Sequence, residues 1–147
     1  MTFFTSQFEC KIDAKGRLVL PAKIKSILPE SSGNELVIRE GFEPCLILYP
    51  MVEYKKLYSK IAGLNEFNPE YRKIQRQFFS GSSIVELDSA GRFLIPKQMQ
   101  DFAGLGKDAV VVGMGNKVEI WSPEQYKKYS LGDPDEFSTL AQKYLDN

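Results

Sequence analysis

The residues in this chain whose types and spacing could do chemistry are an aspartate, a glycine and an arginine that recur together twice. The first stretch runs Asp13-Ala-Lys-Gly-Arg17-Leu-Val-Leu-Pro21 and the second Asp88-Ser-Ala-Gly-Arg92-Phe-Leu-Ile-Pro96. An Asp at the head of a loop accepts hydrogen bonds from the amides of its own turn, and a Gly supplies a positive-φ position without a Cβ clash. Asp13 with Gly16, and Asp88 with Gly91, therefore predict tight, carboxylate-oriented reversals between strands. Arg17 and Arg92 then start the following strands. One reading of each Asp/Arg pair is a structural clamp across the loop. The other is a rigid platform that presents Arg17, with Lys15 beside it, to an external anion. A planar five-donor fork suits phosphate and the acceptor edge of guanine, whereas Lys contributes a mobile point charge. Both readings hold if Asp orients the turn while the basic side chains bind.

Other chemistries find little support. Histidine is absent, which removes Ser-His-Asp and Cys-His nucleophilic sites and the commonest metal ligand. Cys10 and Cys45 are too few and too far apart for a metal-ligand pattern, and both sit in apolar strand-like runs, so buried free thiols are expected. Gly113-Met-Gly115 lacks the third glycine and the helix start of a phosphate cradle and reads as a turn. The expectation is a non-enzyme with no catalytic residue, metal, cofactor or small-molecule substrate. No apolar run approaches the roughly 18 residues of a membrane span, and Met1-Thr-Phe-Phe lacks a secretory pattern, so no membrane partner and a cytoplasmic location are expected.

Charge is balanced overall, with 19 basic and 19 acidic side chains, which argues against a simple nucleic-acid binder. Its distribution is uneven. Lys11, Lys15, Arg17, Lys23 and Lys25 crowd the first motif against Glu9 and Asp13, while Asp133, Asp135, Glu136 and Asp146 load the tail.

The elements that must position these groups also repeat. Phe8 to Ile12 and Arg17 to Leu20 predict a two-strand unit, followed by a helix from Pro21 to Leu28 that Pro29 stops. After a loop over Glu30 to Asn34, Leu36–Arg39 and Cys45–Tyr49 predict a hairpin. The second unit follows the same order: strands over 83–87 and 93–95, a helix over 96–103 ended by Gly104, and a hairpin from 109–112 and 118–121. Between them lie two helices, over 50–62 and from Asn68 as a cap, the latter with Tyr71, Ile74 and Phe78 inward and Arg72, Lys73 and Arg76 outward. That basic trio is either a solvated face or a further nucleic-acid contact. Ser122 caps a helix, and Phe137, Leu140, Ala141, Tyr144 and Leu145 form one apolar face of a tail helix that covers the chain's own core or docks on a neighbouring subunit. The aromatic side chains are expected to be mostly core.

A unit of roughly 45 residues is near the lower limit for independent stability, so the halves are expected to interlock about a pseudo-two-fold axis with both basic tips on one surface. Doubling matches a groove that repeats, and it raises effective concentration for the second contact.

The two motifs, with Glu86-Leu before the second and Phe102-Ala-Gly-Leu105, Val111-Val-Gly-Met-Gly-Asn116 and Glu119-Ile-Trp121 after it, resemble the MraZ family of bacterial transcriptional regulators from about Phe8 to Tyr129. The resemblance implies an α+β fold with a mostly β core: two tandem SpoVT-AbrB-type, swapped-hairpin β-barrel halves forming an intramolecular pseudo-dimer, with peripheral helices. The domains expected are 7–54 and 83–126, with a helical connector at 55–82 and a C-terminal amphipathic helix at 127–147. It implies double-stranded DNA as partner, at short direct repeats upstream of the division and cell-wall gene cluster, mostly repression, a ring-shaped homo-oligomer and nucleoid association. Carried onto this chain, the implied DNA contacts are Arg17, Arg92 and Lys15, and Lys11, Lys23 and Lys97 are added from charge alone. The family's frequent His before the first motif is replaced by the Cys10-Lys11 region. Ala90 stands where the first loop has Lys15, and Gln98, Gln100 and Asp101 stand on the helix matching that of Lys23 and Lys25, so the second half is expected to grip DNA less strongly. A scaffold or antitoxin-like protein acting through the tail and middle helices is the alternative.

Overall fold

A computed structural model describes residues 3–29 and 33–145. Most of the loop expected from Glu30 lies outside the described residues, as do Met1, Thr2, Asp146 and Asn147.

Alternating apolar residues build two hairpins that lie side by side. β3 (Glu35–Glu40) pairs with β4 (Leu46–Pro50), and β7 (Asp108–Gly113) pairs with β8 (Val118–Trp121), all antiparallel. β4 and β8 then pair with each other, Ile47 facing Glu119 at the centre. The outer edges are filled by exchange between halves. β1 (Gln7–Lys11) of the first half pairs with β7 of the second, and β5 (Ser82–Glu86) of the second pairs with β3 of the first. The six-stranded sheet therefore runs β1-β7-β8-β4-β3-β5. β2 (Arg17–Val19) and β6 (Arg92–Leu94) form a separate two-stranded ribbon, with Leu18 opposite Phe93. Every pairing except the two hairpins joins one half to the other, so neither half keeps a sheet of its own.

The expected pairing of the strands flanking each loop is corrected by this exchange. β1 and β2 share one bridge, between Ile12 and Leu18, and then diverge to partners in the other half. The Asp/Gly loop is thus a corner that lifts the chain from the sheet to the ribbon. Between sheet and ribbon lies the main core, including Leu18, Phe93, Leu20, Ile95, Leu46 and Ile120. Both halves contribute to it.

Pro21 and Pro96 directly precede α1 (Ala22–Ile27) and α4 (Lys97–Ala103), which bury Ile24, and Met99 with Ala103, against this core. On the sheet's other face Cys45, Ile47, Tyr49, Val110 and Trp121 form a smaller core, with Tyr54 and Leu57 of α2 (Met51–Ala62) and Tyr126 of α5 (Pro123–Tyr129) packed on it. The Asn68 side chain accepts from the Glu70 amide at 2.9 Å to start α3 (Pro69–Ser80), and Ser122 Oγ accepts from the Gln125 amide at 3.1 Å to start α5. Both caps are legible in the sequence. Cys45 is buried, which pushes its thiol up to about 12, and Cys10 is half-buried with its thiol raised for the same reason.

Three expectations about apolar faces are overturned. Tyr71 and Ile74 of α3 are exposed, because α3 rests on α2 and the end of β5 rather than across the sheet. The apolar face of α6 (Pro134–Leu145) does not cover the chain's own core: Phe137, Leu140, Tyr144 and Leu145 all face solvent. The aromatic residues are likewise not mostly core, with Phe42, Phe67 and Phe102 among those exposed. Helices that stand on a sheet by one edge leave the rest of their apolar surface uncovered.

Candidate nucleic-acid interface

Each loop is fixed by one carboxylate. Asp13 Oδ1 accepts from the amides of Lys15 at 3.0 Å and Arg17 at 2.9 Å, and Oδ2 accepts from Arg17 Nε at 2.8 Å. Asp88 repeats the pattern with the amides of Ala90 and Arg92, both at 2.9 Å, and with Arg92 Nε at 2.8 Å. The clamp and the platform are therefore one device. Asp takes Nε, so the two Nη groups of each guanidinium remain for a ligand; among the described residues they make no hydrogen bond. Both carboxyls lie below the usual carboxylate range, first because the Arg17 or Arg92 amide donates to the charged form, with the guanidinium adding to it against partial desolvation.

Gly16 and Gly91 adopt φ of 86° and 76°. Side chains of the opposite half lie close to both. A methyl on Gly16 would lie 2.2 Å from Gln100 Nε2, and one on Gly91 would lie 3.4 Å from Lys25 Nζ. The turns are also tied across the pseudo-dyad, since the Leu20 amide donates to Gly91 O and the Ile95 amide to Gly16 O, both at 3.0 Å.

The ribbon decides where the arginines go. Its register sets Arg17 against Leu94 and Val19 against Arg92. Paired residues in antiparallel strands share a face, so these four point one way while Leu18 and Phe93 point into the core. Arg17 and Arg92 are diagonal neighbours, which places their backbones roughly 7–8 Å apart. Both side chains are about one-third exposed, at 31% and 35%. They stand at opposite ends of one short ribbon, each beside its own loop, and neither is sealed inside.

The other expected cations divide into two groups. Lys11 is held by Asp108 across β1 and β7, and this partner raises its affinity for the proton. Lys97 pairs with Asp101 at 3.0 Å but lines the same shallow cleft as Lys15 and Gln100. Lys15, Lys23 and Lys25 form no ion pair among the described residues, and Lys23 lies exposed on α1. The exchange of elements redistributes these charges. α1 of the first half leans on the second loop and α4 of the second half on the first, so Lys25 lies beside the tip that lacks a loop lysine. The basis for expecting a weaker second half is accordingly reduced. Sequence reading had placed Lys25 near the first motif; its equivalence with Gln100, 75 positions on, was the available signal.

Among the described residues no cluster of three His, Cys, Asp or Glu side chains could hold a metal ion, and no helix is long and apolar enough to cross a membrane. What the site offers is two outward guanidinium forks, two adjacent free lysines and a flat ribbon between them. This arrangement can receive anions at two spaced points.

Comparison with known proteins agrees with the internal repeat. The family described as "MraZ protein, putative antitoxin-like" matches residues 3–77 and again 78–147. The chain is 56% identical over 145 residues to a protein of Cytophaga hutchinsonii named transcriptional regulator MraZ, covering 99% of this chain and 96% of that one. Proteins of the same name from Christiangramia forsetii and Symbiobacterium thermophilum are 39% and 37% identical, covering 95% and 93% of this chain and 91% and 96% of theirs. With both repeats matched and relatives aligned nearly end to end, the chain belongs to the MraZ family.

Proposed function

We propose that this chain is a sequence-specific DNA-binding transcriptional regulator, a repressor of the division and cell-wall gene cluster that binds short direct repeats as a ring-shaped oligomer. One observation carries the DNA reading: two carboxylate-clamped arginines emerge from the same face of a two-stranded ribbon with their Nη edges unengaged. An Arg fork presented bidentately reads guanine O6 and N7 or grips phosphate, and a two-stranded ribbon fits the major groove. Arg17 and Arg92 read, Lys15 and Lys25 contribute phosphate contacts, Lys23 and Lys97 extend the basic strip, and Lys11, already paired, contributes least. The names borne by the relatives support regulation, and no catalytic role accompanies this reading. The domain division that goes with it is 7–54, 55–82, 83–126 and 127–147. The cytoplasm, on the nucleoid, is its place of work.

Assembly is supported by apolar surface that the single chain leaves uncovered. Phe42, Ile74 and Phe102 border a groove that also holds Arg39 and Lys73, and the exposed face of α6 carries Phe137 and Tyr144 beside Asp135 and Glu136. Contacts between unlike surfaces repeat head to tail and close into rings. These helical faces also favour the second reading, a scaffold or antitoxin-like module. Fragments selected from random duplex DNA by the wild-type chain, then tested with Arg17→Ala and Arg92→Ala, decide between them. DNA regulation requires an enriched sequence whose binding both variants lose; full affinity in both refutes the assignment. Removal of residues after Gly132 should break the oligomer and weaken DNA binding, and a truncated monomer that binds DNA tightly would refute the assembly.

A further inference from the structure

Beside each of the two arginines the ribbon exposes aliphatic carbon. Val19 and Leu94 occupy equivalent places in the two copies, each directly opposite the other copy's arginine, and they are 50% and 55% exposed. In a ribbon with one buried face, the solvent face is ordinarily polar. Here both residues paired with the arginines are aliphatic, although the core face is already filled by Leu18 and Phe93 at 0% and 1% exposure. Their setting specifies the partner. Around them stand Arg17, Arg92, Lys15 and Lys25, a cationic frame that attracts a polyanion. The apolar group that a DNA major groove displays is the C5-methyl of thymine.

We propose that Val19 and Leu94 contact thymine methyl groups beside the bases read by Arg92 and Arg17 respectively, so that the ribbon recognises thymine next to guanine. This inference rests on the DNA-binding reading above. The pairs Arg17–Leu94 and Val19–Arg92 stand at the two ends of the ribbon's outer face, so each aliphatic side chain lies directly beside one arginine, and the two aliphatics, like the two arginines, are diagonal neighbours. A duplex laid on this face thus meets, twice, a guanidinium with aliphatic carbon beside it. Leu94 reaches one carbon further than Val19, which makes the two half-contacts unequal and gives the site a polarity suited to direct repeats.

The test is affinity, by fluorescence anisotropy, for a duplex selected from random DNA by the wild-type chain, compared with the same duplex carrying deoxyuridine for thymidine in the protected stretch. Wild type should bind the uracil duplex about fourfold more weakly for each methyl contacted. Val19→Ser with Leu94→Ser should bind the thymine duplex more weakly and show no preference between the two. Thermal unfolding checks that the double variant folds. A wild type indifferent to uracil, a selected site without thymine in the protected stretch, or a double variant with an undiminished thymine preference overturns the proposal. A changed oligomer mass in the double variant with the thymine preference intact would assign the patch to contacts between copies instead. The parent reading fails separately: if no duplex is enriched, or Arg17→Ala and Arg92→Ala keep full affinity, DNA binding by these tips falls and this inference with it.

Discussion

Arg17→Lys separates what the fork does from what the charge does. In the wild type, Nε is committed to Asp13 Oδ2 at 2.8 Å, so the guanidinium plane is held by its base and both Nη groups project together. A lysine ammonium can either return to Asp13 or reach outward, and it cannot form two parallel bonds to one base. A bidentate contact to guanine discriminates by about 1–3 kcal/mol, which corresponds to about 5- to 150-fold in affinity. The variant should lose affinity for a selected duplex within that range while its salt dependence stays near the wild-type slope, because the number of neutralised phosphates is unchanged. The fold should persist, since this side chain is 31% exposed and Leu18, next to it, still fills the core. Anisotropy titrations at several salt concentrations, with thermal unfolding as a control, measure both quantities. Undiminished affinity and sequence preference in Arg17→Lys would refute fork recognition at this tip. A flattened salt slope would show that Arg17 acts through phosphate.

The remaining predictions address the frame around the forks. Gly16→Ala should destabilise by about 1–2 kcal/mol through its left-handed φ, and further through the 2.2 Å approach to Gln100, whereas Gly33→Ala, with φ of 61° and nothing within 4 Å, should show the conformational cost alone in chemical denaturation. Lys25→Ala should weaken DNA binding and reduce the salt slope by about one, and adding Ala90→Lys should restore both; a slope unaffected by either change refutes the assignment of Lys25 to the second tip. Because the folded carboxyls of Asp13 and Asp88 are lowered, their contribution is complete above the ordinary carboxylate range and is lost as pH falls through the lowered values. Carboxyl NMR titration should find both midpoints below the ordinary aspartate range.

The loops were legible because their chemistry is local. An Asp, a Gly and an Arg within five residues contain the acceptors, the positive φ and the donor that meet there, so sequence spacing and spatial contact coincide. The caps at Asn68 and Ser122 were legible for the same reason. Strand exchange was implied by the family resemblance alone, since Lys11 meets Asp108 across 97 positions and no local pattern marks which half supplies an edge strand. Lys25, close to the first motif in sequence, lies against the second loop as a direct consequence. The face of α6 shows a related limit: its periodicity identifies an apolar stripe and is silent about whether the same chain or another covers it. Val19 and Leu94 read as ordinary strand residues until the ribbon register set each of them beside the other half's arginine.

The structure of the chain bound to a selected duplex is the most direct test of paired recognition. The arginine pair, roughly 7–8 Å apart at the backbone, should enter one major groove within a single helical turn, each guanidinium keeping Nε on its own aspartate and turning its Nη edge to a base or phosphate. A complex in which DNA lies on the helices, or in which one arginine meets DNA while the other faces solvent, would contradict the account.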